Sequence, residues 1–98
     1  MKITITIQDI NKISNPRKYI MMKYFIEHKK VYAYELHKAM NGLSYKNTHK
    51  QLQELVKYGF IDILGYTESK TDRLVKMYQL NSKGKLVFES VEKLVRSG

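Results

Sequence analysis

The feature that most constrains this chain is a change of hydrophobic period at Gly59. Before it, apolar residues recur at helical spacing. Thr48, Leu52, Leu55 and Val56 make the inward stripe of a helix that Ser44 can cap and Gly59 ends. A shorter helix, from about Ala33 to Met40, precedes it with Leu36 and Met40 four apart. Asn41-Gly42 closes that helix with residues that tolerate left-handed dihedrals. About three residues therefore separate the two helices. After Gly59, Phe60 to Leu64 reads as a strand and Leu74 to Leu80 as a second one. The polar stretch Gly65 to Arg73 lies between them, so the pair predicts a hairpin with a long, charged tip. Asn81 or Ser82 starts a final helix in which Val87, Val91, Leu94 and Val95 share a face. Gly84 slightly weakens its start.

The N-terminal part has its own signals. Residues 2–7 alternate Ile and Thr after Lys2, which predicts a strand with Ile3, Ile5 and Ile7 on one face. Residues 8–14 form a connection or a short helical turn through Ile10 and Ile13. Asn15-Pro16 marks a helix start, and the helix should run to His28 or Lys29. Met21, Met22, Phe25 and Ile26 form its core face, which leaves Tyr19, Ile20 and Tyr24 in surplus. A small domain cannot cover that surplus together with the apolar stripe of the last helix. The expectation is a homodimer with Tyr19, Ile20, Tyr24, Val87, Val91, Leu94 and Val95 in its interface. Residues 1–14 then form an N-terminal strand and connection, and residues 15–98 the main domain with a C-terminal dimerisation helix.

Length and composition narrow the function. Ninety-eight residues allow one domain. The chain has no Cys, which excludes disulfides, thiol catalysis and a Cys-ligated zinc site. No apolar run exceeds four residues, so no segment is read as spanning a membrane. The first residues resemble neither a signal nor a transit peptide, and a cytoplasmic location is expected. Net charge is +9, from 18 basic and nine acidic side chains. The excess is spread evenly, with eight basic and three acidic groups in residues 1–43, and ten and six in 44–98. Such a balance favours a polyanionic partner.

The element order and the residues Tyr34-Glu35-Leu36, Ser44, Leu52, Leu55, Gly59-Phe60-Ile61 and Tyr78-Gln79-Leu80-Asn81-Ser82-Lys83-Gly84-Lys85 resemble small winged helix-turn-helix transcriptional regulators of the PadR and MarR type. The pattern looks especially like the short versions carried by crenarchaeal viruses and their hosts. The resemblance covers about residues 16–96 and implies an α+β, mostly α, winged-helix fold. It also implies double-stranded DNA as partner, with the helix at 44–58 in the major groove and the hairpin at 65–73 on the backbone or minor groove. On that basis Ser44, Tyr45, Lys46, Asn47, His49 and Lys50 are the candidate contacts of the recognition helix. Asn suits adenine, Lys suits guanine, and Ser44 with the free N–H groups suits a phosphate. Lys70 and Arg73 are the candidates on the wing. Arg17 and Lys18, which oppose the dipole of their own helix, are candidates for phosphate contact. Tyr45 and Tyr66 are kept as further candidate contacts, and Tyr24, Tyr32, Tyr58 and Tyr78 are assigned to the core or an interface.

No catalytic constellation is present. His28, His37 and His49 lie apart, no phosphate-binding Gly-rich loop occurs, and no nucleophile elbow surrounds a Ser. Neither an enzyme activity nor a cofactor is expected. The expected function is that of a sequence-specific transcriptional regulator. Two alternatives stand beside it. One is an architectural DNA binder, suggested by 15 Lys against three Arg. The other is a winged-helix protein-interaction module.

Overall fold

A computed structural model describes residues 3–68 and 74–97. The first element overturns the expected N-terminal strand. Ile7–Lys12 is a helix, α1, and residues 3–6 lead into it without regular structure. The local reason is a capping box. Thr6 Oγ1 accepts from the backbone N–H of Asp9 at 3.1 Å, and Asp9 Oδ2 accepts from that of Thr6 at 3.1 Å. The Asp9 carboxyl is held below its usual value, chiefly by that backbone hydrogen bond and against the cost of its burial. Lys12 and Lys83 stand 3.9 and 3.8 Å from its Oδ1. Ile3, Ile5 and Ile7 do not form one buried row. Ile7 is 77% exposed, while Ile5 is half-buried against the core. Ile13, in contrast, is fully buried, which ties residues 7–13 into the main domain.

Asn15 caps α2 (Pro16–Glu27) by accepting from the N–H of Arg17 at 2.8 Å. Met21, Met22 and Phe25 are buried as the periodicity predicts, and Ile26 stays 40% exposed. Val31–Tyr32 is a short strand, β1, that finds its partner far away in the chain. Two helices follow, α3 (Ala33–Ala39) and α4 (Tyr45–Lys57). The end of α4 is a Schellman motif: Phe60 N–H donates to Leu55 O and Gly59 N–H to Val56 O, with Gly59 at φ +86°.

Strands β2 (Ile61–Glu68) and β3 (Leu74–Leu80) form the hairpin, with β3 in the middle of an antiparallel sheet of order β1-β3-β2. β2 runs four residues further than the period suggests. The register slips between Ile63 and Gly65, where Gly65 at φ +122° accommodates a bulge that leaves Leu64 exposed. The last helix, α5 (Ser82–Ser97), begins under Asn81. Asn81 Oδ1 accepts from the N–H of Gly84, and its amide donates to Gly59 O at 2.7 Å. A Cβ on Gly84 would stand 2.3 Å from the Phe60 carbonyl oxygen. Gly84 is therefore required for the close approach of α5 to the backbone of Phe60.

The core corrects part of the interface expectation. Val87 is fully buried and Val91 is 5% exposed, both inside the protein's own core. Tyr19 is half-buried with its ring stacked on Phe88 at 5.2 Å. The Tyr24 hydroxyl donates to Glu35 Oε2 at 2.6 Å, within the same chain. Of the seven residues assigned to the interface, Ile20, Leu94 and Val95 remain largely exposed, at 50%, 61% and 66%.

Candidate nucleic-acid interface

α4 is strongly two-sided. Thr48, Leu52 and Leu55 are fully buried, and they fix which side looks outward. Ser44 caps the helix by accepting from the N–H of Asn47 at 3.1 Å. Ser44, Tyr45, Lys46, Asn47 and Lys50 all lie on the exposed side. No acidic residue occurs between Glu35 and Glu54. The first turns of α4 thus present free N–H groups, two ammonium groups, an amide and two hydroxyls to solvent, with no carboxylate among them. Such a surface is suited to an anion or to the edges of bases.

His49 is only half-exposed and belongs to a row of rings. It stacks on Tyr45 at 6.1 Å, His37 meets Tyr45 edge-on at 5.6 Å, and Tyr34 lies 6.3 Å from Tyr45. The Lys38 ammonium sits 5.0 Å over the Tyr34 ring. Gln53 donates to the Tyr78 hydroxyl at 3.1 Å and so joins α4 to the middle strand of the sheet. Tyr34 and Lys38 were not foreseen at this surface. Their i, i+4 spacing was the available signal, but Tyr45, the ring that Tyr34 meets across the chain, comes from α4.

Lys18 is not a solvent-facing cation. It is 7% exposed, its ammonium donates to Gln51 Oε1 at 2.6 Å and pairs with Glu54 Oε2 at 3.3 Å. Tyr58 donates to the same carboxylate oxygen at 3.3 Å. Burial, and then the negative charge of Glu54, push the Tyr58 hydroxyl above its ordinary value. Lys18 thereby joins α2 to the second half of α4, and the expected phosphate contact is corrected to an internal one. Arg17, beside it, is exposed. Lys70 and Arg73, the expected wing contacts, lie outside the described residues.

Among the described residues no group of three or more His, Asp or Glu side chains could hold a metal ion. No helix there is long and apolar enough to cross a membrane.

No protein-family model and no curated protein sequence matches the chain. Solved structures do. A structure described as a MarR-family transcriptional regulator from Enterococcus faecalis V583 superposes with TM-score 0.77 at 18% identity, covering 99% of this chain and 89% of that one. A structure described as a transcriptional regulator from Salmonella typhimurium gives 0.72 at 18% identity, over 91% of this chain and 76% of that one. The Bacillus subtilis PadR structure, in complex with operator DNA, gives 0.63 at 19% identity, over 74% of this chain and 44% of that one. A likeness of this kind is one of shape, in agreement with the order of helices and the three-stranded sheet described above. The chain has the winged helix-turn-helix fold that the MarR and PadR regulators share.

Proposed function

We propose that this protein is a non-enzymatic, sequence-specific regulator of transcription that acts in the cytoplasm by occupying double-stranded DNA. α4 enters the major groove, and the β2–β3 hairpin lies on the backbone or in the adjacent minor groove. The observation that carries the reading is the exposed start of α4, where Ser44, Tyr45, Lys46, Asn47 and Lys50 stand together with no carboxylate among them. The operator-bound PadR structure of the same fold supports it. Lys46, Asn47 and Lys50 read base edges, Ser44 and the helix N–H groups hold a phosphate, and Arg17 contacts the backbone nearby. On the wing, Lys70 and Arg73 take the backbone.

We further propose that two copies act together, with half-sites about one helical turn apart. Their contact is the apolar groove of about 460 Å³ lined by Ile13, Pro16, Tyr19, Val91, Leu94 and Val95. The exposed Leu94 and Val95 rim that groove, and a second α5 brings the same apolar stripe to it. Replacing Leu94 and Val95 together with Glu should give monomers in sedimentation without loss of fold. A wild type that sediments as a monomer at micromolar concentration would refute the dimer.

A second reading, an architectural binder, is favoured by the excess of Lys over Arg, 15 to three, since Lys acts as a point charge. Selecting binding sites from random duplex decides between the two. An enriched motif bound at least a thousandfold more tightly than random duplex supports the regulator. A ratio near one supports the architectural protein.

A further inference from the structure

Tyr32, Tyr34, Tyr45, Tyr66 and Tyr78 line, with His49, an open cavity of about 300 Å³ between the start of α4, α3 and the hairpin. Tyr78 is buried and tied to Gln53. Tyr34, Tyr45 and Tyr66 are not: they expose 52%, 46% and 64% of their surface. Lys76 is part of the wall, no acidic side chain among the described residues is, and Lys38 stands over Tyr34. Rings that face an open cavity, with ammonium groups beside them, suit a flat aromatic group that carries negative charge. Duplex DNA does not offer such a group, because its bases cover each other's faces and show only their edges in the grooves. An unpaired nucleotide does offer it, since every base has a π-face and each unit brings a phosphate. A ligand cation caged by the same rings would meet Lys76, Lys38 and a net charge of +9.

We propose that this cavity binds an unpaired nucleotide of a single strand, with its base against Tyr45 and Tyr66 and its phosphate beside Lys76. This goes beyond duplex recognition and uses different chemistry, stacking instead of edge readout. Because Tyr45 and His49 belong to α4, single strand and duplex compete for the start of that helix.

The test is anisotropy of a short, fluorescein-labelled oligothymidylate with the intact chain at low salt. Saturable binding is expected, weakened about tenfold by Tyr45→Ala and by Tyr66→Ala. Tyr66→Phe, which keeps the ring, should restore the affinity, a rescue that a loss of fold would not produce. An abasic strand of equal length and charge should bind at least tenfold more weakly. Absence of binding, equal binding of the abasic strand, or indifference to both Ala changes each overturns the proposal. Adding the selected duplex as a competitor separates this proposal from the previous one. Duplex bound without single strand overturns only the cavity proposal, and single strand bound without duplex overturns only the duplex reading.

Discussion

α2 and α4 begin alike and end up in opposite surroundings. Each has a polar cap, Asn15 or Ser44, that accepts from a backbone N–H in the first turn. Each then carries cations in its opening turns, Arg17 and Lys18 in one, Lys46 and Lys50 in the other. Yet Lys18 is buried against Gln51 and Glu54, and further along α2 the Tyr24 hydroxyl is turned inward onto Glu35. Lys46 and Lys50 face solvent. The difference teaches that charge at a helix start is open to a polyanion only where no other element covers it. α4 buries Lys18 of α2 and leaves Arg17 beside it exposed, whereas Lys46 and Lys50 of α4 are both exposed.

The sharpest way to break this contrast is Lys18→Ala. Removing the ammonium leaves the Glu54 carboxylate, with a third of its side-chain surface exposed, without its cation. Loss of the pair and of the Gln51 bond should lower stability by about 2–4 kcal/mol in urea unfolding. An unchanged midpoint would mean that Lys18 is not structural. Lys50→Ala should do the reverse: stability stays within about 0.5 kcal/mol, and affinity for the selected duplex falls by roughly 1–3 kcal/mol with relaxed preference at one base position. A loss equal for all sequences would make Lys50 a phosphate contact, and no loss would remove α4 as the reading element. Ser44→Ala should cost about 1 kcal/mol of stability through the lost cap and also weaken DNA binding. Asn15→Ala should cost a similar amount of stability and leave binding unchanged, which isolates the second role of the α4 cap.

The last effect shows only at high pH. Burial first, and the hydrogen bond to Glu35 second, push the Tyr24 hydroxyl up to about 12. The folded state therefore holds this proton more tightly than the unfolded chain, whose Tyr titrates near 10. The stabilisation is fully present below about pH 10 and is lost as the pH rises from there through about 12. Stability of the wild type should fall over that window, and Tyr24→Phe should flatten the fall. Equal slopes in both would show that Tyr24 does not couple to folding.

How much could be read in advance depended on whether the deciding contacts were local. The caps Asn15 and Ser44, the stripe Thr48–Leu52–Leu55 and the stop at Gly59 were all legible, because each rests on residues within one or two helical turns. The alternation at residues 2–7 misled. It describes a strand only if a sheet edge accepts it, and here β1 takes the edge of β3 while the Thr6–Asp9 box starts a helix instead. The β3-facing role of Val31 and Tyr32 was equally hidden, since their partners Tyr78 and Met77 lie more than 40 positions away. On α5 the stripe was read correctly as a face, but not where it divides: Val87 and Val91 are buried by the domain itself, and Leu94 and Val95 extend past it.

The amino-acid order thus set the period of each segment, the places where helices start and stop, and the acid-free first turns of α4. These follow from backbone hydrogen bonding and side-chain spacing along a single element. Only the folded arrangement turned Lys18 inward, assigned Gly84 to a close approach, and brought tyrosines from α3, α4 and both hairpin strands around one cavity. Those outcomes depend on which surfaces meet across long stretches of chain, and that is settled when all elements compete for the same small core.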